Sequence, residues 1–338
     1  QTFSQYDLIA VPLYVLVGTL MERAQLSRQL FDMARTMLGG IRGGLGVATV
    51  AACGLFAAIS GSSIATAATV GVVALPALQK GGYRSDRSGA LVAAGGALGI
   101  LIPPSIAMII FAVITEQSIS KLFMAGVIPG IVLMLAFAAY TAWISRGLQA
   151  DTSEPEIPRM AALRAAAPAL ALPAFIFVAI YSGLATPTEV AALAIGYVVL
   201  FGVIARVLTW RLIGDAFIDA TRFTAMVFLL IGFGKVFTDL FTMTQLPQQL
   251  TEAIAQSGWS PFAVFTAMIA LLLVLGMFLE SLSMLLLTVP ILFPIATSLG
   301  IDPLAFGVFM VLAVEAGLIT PPVGMNLFTV SSIGKIHF

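Results

Sequence analysis

The chain has 338 residues, 60% of them hydrophobic and only 9% charged, with a mean hydropathy of +1.06. Soluble domains carry about 25% charged residues, so this chain cannot cover a water-facing surface in the usual way. The formal net charge is zero, which excludes a basic face for nucleic acid and an acidic tail.

The long apolar runs are Ala, Leu, Val, Ile and Gly in helical lengths, without strand alternation. They predict an all-α polytopic membrane protein rather than an outer-membrane barrel or a single anchor. The chain starts at Gln1 without a methionine or leader and stops at Phe338 soon after an apolar segment. Both ends are therefore expected to be cut, and helix counts to be lower bounds.

The first predicted span, Leu8 to Met21, is followed by a basic amphipathic stretch holding Arg23, Arg28, Arg35 and Arg42. Leu45 to Leu78 is apolar but interrupted by Ser60-Gly61-Ser62-Ser63. Each half has about 16 residues, roughly 24 Å of helix, short of a hydrocarbon core of about 30 Å. Arg42 precedes the pair, while Lys80, Arg84 and Arg87 follow it. Both ends thus face one side of the membrane, which predicts a re-entrant hairpin. Cys53 is the only cysteine and lies in the first half; it excludes an internal disulfide and a cysteine-built metal site, and packing accounts for it.

Ser88 to Thr115 comes next, broken at Pro103-Pro104, and Leu122 to Ile144 returns to the basic side at Arg146. Gln149 to Arg159 is polar and Pro-containing, as a connector is. The spans Ala166 to Leu184 and Val190 to Ala205 lead to Arg206 and Arg211, and Phe223 to Phe241 crosses outward. Phe262 to Leu299 is a second pair of short apolar runs, parted near Glu280-Ser281. The final span, Leu304 to about Val330, is broken at Pro321-Pro322. In this threading only Lys121 and Lys235, of 16 Lys and Arg residues, lie away from one face. The basic side is the cytoplasmic one, so the two hairpins point at each other from opposite faces.

Adding 218 to a residue number in the first half lands on a matching feature in the second. Pro76 maps to Pro294, Gly82 to Gly300, Gly99 to Gly317, Pro103-Pro104 to Pro321-Pro322, and Ser62-Ser63 to Glu280-Ser281. A repeat in opposite membrane orientation is the inverted-topology signature of secondary transporters. Each Pro-Pro pair removes two backbone donors and frees carbonyls at the end of the upstream half-helix. Those carbonyls carry the negative end of a helix dipole and suit a desolvated Na⁺, while Gly99 and Gly317 allow close backbone approach. Ser62 and Ser63 begin the second half of the first hairpin. There they can cap its N–H groups, and that positive end suits a carboxylate substrate.

The motifs resemble a known family. Ser60-Gly61-Ser62-Ser63-Ile64-Ala65 with Pro76, Gly81-Gly82-Tyr83, Gly99 and Pro103-Pro104-Ser105 is similar to the first signature of the large membrane (M) subunit, DctM-like, of TRAP transporters. TRAP stands for tripartite ATP-independent periplasmic. Thr186-Pro187-Thr188-Glu189 resembles the family's central motif. Gly276-Met277-Phe278, Thr288-Val289-Pro290, Pro294, Gly300 to Pro303 and Glu315 to Phe328 resemble its second signature. The resemblance covers nearly the whole chain.

The resemblance implies a multi-pass bacterial inner-membrane permease that imports small organic acids (C4-dicarboxylates, sialic acids or related carboxylates) with Na⁺ by an elevator motion. It implies a small four-helix membrane subunit and a soluble periplasmic substrate-binding protein as partners. By motif, one Na⁺ site involves Ser62 or Ser63 with backbone at Gly99, Ile102 and Pro104. A second involves Gly276, Gly317, Thr320 and Pro322, and the substrate lies near Ser62, Ser63, Glu280 and Asn326. Glu280 stands where the family has an aspartate. A carboxylate there repels an anionic substrate unless a cation or proton intervenes, which favours a structural or ion-coupling role. The implied domains are a scaffold helix with an amphipathic cytoplasmic segment (1–44), a first half of the transport domain (45–120), scaffold helices with the connector (121–260), and a second half (261–338).

Of the remaining ionisable residues, Glu315 on the second broken helix either orients the second cation site or serves a pairing or capping role. Glu189 starts a helix, Lys235 and Asp239 are spaced for an ion pair, and His337 is assigned nothing. An intramembrane enzyme is disfavoured by the lack of a well-placed nucleophile–base pair or metal cluster. A channel is disfavoured by the inverted repeat within one chain. The serious alternative is a binding-protein-independent Na⁺- or H⁺-coupled carboxylate transporter of similar hairpin architecture.

Overall fold

A computed structural model describes residues 6–147, 157–245 and 249–336, apart from 251, 254, 255 and 257. The expected connector from Gln149 lies outside the described residues as far as position 156, as does His337. The described residues form α-helices and short 3-10 turns without a strand. In chain order the helices are α1 Ala10–Arg23, α2 Leu26–Leu38, α3 Gly44–Ser60, α4 Ser63–Lys80, α5 Ser85–Gly96, α6 Ile106–Thr115 and α7 Ile119–Ile144. They continue as α8 Arg159–Tyr181, α9 Pro187–Ile204, α10 Trp210–Met243, α11 Pro261–Gly276, α12 Ser281–Ser298, α13 Pro303–Leu318 and α14 Met325–Gly334.

Local chemistry sets most of these starts. Ser118 caps α7, Ser260 caps α11 ahead of Pro261, and the Asp302 carboxylate accepts from the N–H groups of Leu304 and Ala305 ahead of α13. Each satisfies backbone donors that the first turn leaves free, and proline in the first turn forfeits no hydrogen bond. At α9 the Thr186 side chain accepts from Glu189 N–H while Glu189 accepts from Thr186 N–H, a reciprocal box. That gives Glu189 the structural role its position predicts.

The helix breaks fall where the spacing placed them. α3 and α4 are separated by Gly61-Ser62, and α11 and α12 by residues 277–280. The first broken helix runs from α5 through a 3-10 turn, Ala97–Ile100, to a break before α6. The second breaks between α13 and α14. Among the described residues, six helices are long and apolar enough to cross a membrane, α4, α7, α8, α9, α10 and α12. At 18 residues each, α4 and α12 reach about 27 Å, just under a hydrocarbon core of about 30 Å.

Helix α10 departs from expectation by starting at Trp210 rather than Phe223. Its extra turns carry Arg211, Asp215 and Asp219 at helical spacing, and Asp219 pairs with Arg23 at the end of α1. The polar segment is anchored to a partner helix by this Arg23–Asp219 pair. Lys235 and Asp239, farther along, form the expected pair at 2.9 Å.

Packing mirrors the repeat. α4 lies against α14 of the second half, and α12 lies against α6 of the first. Within each half, α5 packs on both α3 and α4, as α13 packs on both α11 and α12. Phe111 of α6 meets Phe293 of α12 at 5.9 Å and Phe306 of α13 at 6.4 Å, joining the halves through an aromatic cluster. In lipid such contacts act through dispersion and shape rather than through expulsion of water. The most apolar window of α10 is only 11% buried, against 56% for α12, so α12 belongs to the centre and α10 to the rim.

The base of the first hairpin is tied by Tyr83, whose buried hydroxyl donates to Gly43 O at 3.1 Å and accepts from Gly46 N–H at 3.2 Å. Tyr83→Phe is expected to cost about 1 kcal/mol of stability, read as a lower unfolding temperature in detergent. An unchanged temperature would show that these bonds contribute nothing.

Candidate functional site

The two halves repeat one construction around their breaks. Ile106 N–H, where α6 begins, donates to Gly61 O at the first hairpin tip (3.4 Å), and Gly324 N–H, where α14 begins, donates to Met277 O at the second (3.2 Å). Ile106 and Gly324 are related by the same 218-residue offset found in the sequence. The acceptors differ by two positions in that register, since the counterpart of Gly61 is Leu279, but the correspondence extends to the caps. Ser62 Oγ accepts from Ala65 N–H at 3.3 Å, and Glu280, its counterpart, accepts from Leu282 and Ser283 N–H at 2.9 and 3.4 Å. Glu280 also accepts from Ser281 Oγ–H at 2.7 Å. Its charge is held by the positive end of α12, a structural role consistent with its position at the tip.

The predicted residues gather in two groups. A Cβ on Gly99 would lie 2.5 Å from Ser62 O and 2.7 Å from Ser63 Cα, and one on Gly61 would lie 2.7 Å from Pro104 O. Ser62, Ser63, Gly99 and Pro104 are therefore in backbone contact around the first tip. Ile102 occupies the same break, with its side chain directed at Gly54 and Gly130. In the second group a Cβ on Gly317 would lie 2.6 Å from Gly276 Cα, so α11 and α13 cross backbone to backbone. Thr320 Oγ1–H donates to Ala316 O at 2.5 Å, and Pro322 lies in the same break.

One detail corrects the expected capping. Ser62 alone caps α4, whereas Ser63 is the first residue of the helix, is buried, and leaves its Oγ without a hydrogen-bond partner. Asn326, in the first turn of α14, is fully buried with both amide atoms unpartnered. Thr66 was missed in the sequence: its hydroxyl donates to Ser62 O at 2.7 Å and lies 2.8 Å from Ser60 Oγ, bracing the first tip. A threonine one turn after a serine-rich break is the signal that could have found it.

Glu315 joins the two groups. It lies beside Ser63, outside hydrogen-bond geometry, and within electrostatic reach of Glu280. Both tips and the second broken helix therefore approach one another. Long apolar helices wrapped around buried helix breaks and unpaired polar atoms define a multi-pass membrane protein with a polar interior.

The family described as "Tripartite ATP-independent periplasmic transporter, DctM component" matches residues 1–338. The chain is 39% identical over 342 residues to the C4-dicarboxylate TRAP transporter large permease protein DctM of Pseudomonas aeruginosa, covering 98% of this chain and 79% of that protein. It is 37% identical over 338 residues to the isethionate TRAP transporter permease protein DctMQ of Oleidesulfovibrio alaskensis, covering 99% and 53%. It is 36% identical over 335 residues to the ectoine TRAP transporter large permease protein TeaC of Halomonas elongata, covering 97% and 78%. The chain thus spans about half the length of the isethionate relative and about four-fifths of the other two. The chain belongs to the DctM family of TRAP transporter components and is a multi-pass protein of the bacterial inner membrane.

Proposed function

We propose that the chain is the permease subunit of a Na⁺-coupled secondary transporter that imports small organic acids delivered by a periplasmic binding protein. The observation that carries this reading is the repeated hairpin–break module, in which the offset-related Ile106 and Gly324 N–H groups each bond a carbonyl of the hairpin tip in their own half. Discontinuous helices paired in this way are how transporters build a midplane site. The charge threading makes the modules opposed re-entrant hairpins. The cross-packing of α4 on α14 and of α6 on α12 lets them move as one body, the elevator domain, against α7–α10.

The donor chemistry fits Na⁺. Ser63 Oγ is buried and unpartnered, and the carbonyl-rich breaks at Gly99, Ile102 and Pro104 surround the same tip. Gly276, Gly317, Thr320 and Pro322 form the second set, again hydroxyl and backbone oxygen, which hard cations prefer. Bound Na⁺ supplies the positive charge that lets a carboxylate enter a low-dielectric interior. Ser62, Ser63 and Asn326 then orient that carboxylate between the tips, while Glu280 holds the N-terminus of α12 in place.

Relatives of near-equal similarity carry names with three different substrates, so the reading stops at a class of small organic acids, with C4-dicarboxylates and sialic acids as its core. The partners are a small four-helix membrane subunit and the binding protein. The extra length of the relative named DctMQ accommodates such a subunit in one chain.

Replacing Ser62 and Ser63 together by alanine is expected to raise the Na⁺ concentration for half-maximal uptake about tenfold, the loss of one to two hydroxyl ligands. Uptake measured against Na⁺ concentration decides this, and an unchanged Na⁺ dependence removes both serines from the site.

A further inference from the structure

Among the described residues, Glu315 carries a buried carboxylate with neither oxygen compensated. The residue is 3% exposed, and neither carboxylate oxygen has a hydrogen-bond partner. No Lys or Arg occurs between Lys235 and Lys335, and no ion pair reaches Glu315 among the described residues. Its polar neighbour is the equally buried and unpartnered Ser63 Oγ, and the nearby charge is Glu280. An isolated buried carboxylate costs several kcal/mol, and a second carboxylate in reach adds to that cost. Glu280 does not need the same compensation, because it already accepts from Ser281, Leu282 and Ser283.

We propose that Glu315 is the charged ligand of a monovalent cation site enclosed between the two hairpin tips, with Ser63 Oγ as a neutral ligand. This rests on the Na⁺-coupled reading and places a formal charge beside the first of the two sites built from hydroxyl and backbone oxygen, with which it shares Ser63. One uncompensated carboxylate calls for one positive charge, which favours a monovalent ion over a divalent one; a proton would also neutralise it, and the Na⁺ stoichiometry of Glu315→Gln separates the two. Burial favours a dehydrated ion over the cationic end of a zwitterionic substrate, since Glu315 is only 3% exposed and a substrate must enter from water.

The test is ²²Na⁺ binding and thermal unfolding of the purified permease with its small membrane subunit, in Na⁺ and in choline. Glu315→Gln is expected to bind one Na⁺ fewer per protein. It is also expected to melt above the parent in choline, where an unpaired charge has been removed, and to lose part of the stabilisation by Na⁺. A role in packing alone predicts lower melting in both salts. Glu315→Asp keeps the charge at shorter reach and is expected to weaken Na⁺ binding about tenfold. Parent-like Na⁺ binding in both variants overturns the proposal, as does Glu315→Gln losing affinity for substrate alone. If Ser62→Ala with Ser63→Ala weakens Na⁺ binding while Glu315→Gln does not, only the charged site falls. A parent protein that binds no Na⁺ defeats the coupled reading as well.

Discussion

Gly317→Ala is expected to reduce uptake to below about a tenth of the parent rate. The new Cβ would sit 2.6 Å from Gly276 Cα and 3.1 Å from Gly276 C, where the neighbour is backbone and has no rotamer to yield. Forcing a methyl into such a contact costs about 1–3 kcal/mol, and here the helices must part at the second proposed cation site. Gly214→Ala is the control, because no atom outside its own turn lies within 4 Å. Alanine there is expected to leave uptake unchanged and to add up to about 1 kcal/mol of stability through helix propensity. Parent-level uptake by Gly317→Ala would mean that the close crossing of α11 and α13 is not needed for transport.

The second large effect concerns motion. Cys53, the one cysteine in these 338 residues, is fully buried, so labelling of an introduced cysteine is read against the parent protein as its background. Ile64→Cys beside the first tip and Phe278→Cys beside the second are expected to react with a membrane-impermeant thiol reagent from opposite faces. Each is expected to change its labelling rate at least about tenfold when Na⁺ and substrate shift the population between states. Two cysteines open to one face under every condition contradict alternating access.

How much was legible in the sequence differs by feature. The hairpins and broken helices were visible because helix interruption is local chemistry: Pro103-Pro104, Pro321-Pro322 and the Ser60–Ser63 run end helices whatever surrounds them. The 218-residue offset then revealed the repeat without coordinates. The start of α10 was misplaced because hydropathy registers apolar length, whereas the polar turns from Trp210 to Arg222 are tied down through Asp219 by Arg23, almost 200 positions away. The division of labour at the first tip was also hidden. Two adjacent serines look alike in sequence, and only backbone geometry makes Ser62 the cap and Ser63 a buried, unpartnered hydroxyl.

The grouping of Gly276 with Gly317 had a similar limit. It entered through family resemblance, since two glycines far apart in an apolar chain carry no pairing signal of their own. Glu315 remained open between orienting a cation site and a pairing or capping role. Its carboxylate oxygens make neither an ion pair nor a hydrogen bond among the described residues, a tertiary fact that spacing does not encode. Tyr14, whose hydroxyl donates to Pro187 O at 3.0 Å, likewise ties α1 to α9 through a contact without a sequence signature.

The decisive measurement is uptake of radiolabelled organic acids into proteoliposomes holding the full-length permease and its small membrane subunit. It is run under an inward Na⁺ gradient, with and without the soluble binding protein. Uptake that requires both the gradient and the binding protein is the expected result, and the acid accumulated names the substrate. Gradient-driven uptake indifferent to the binding protein would contradict delivery by a soluble partner and assign the chain to self-sufficient carboxylate transport. Uptake indifferent to Na⁺ would contradict the coupling itself.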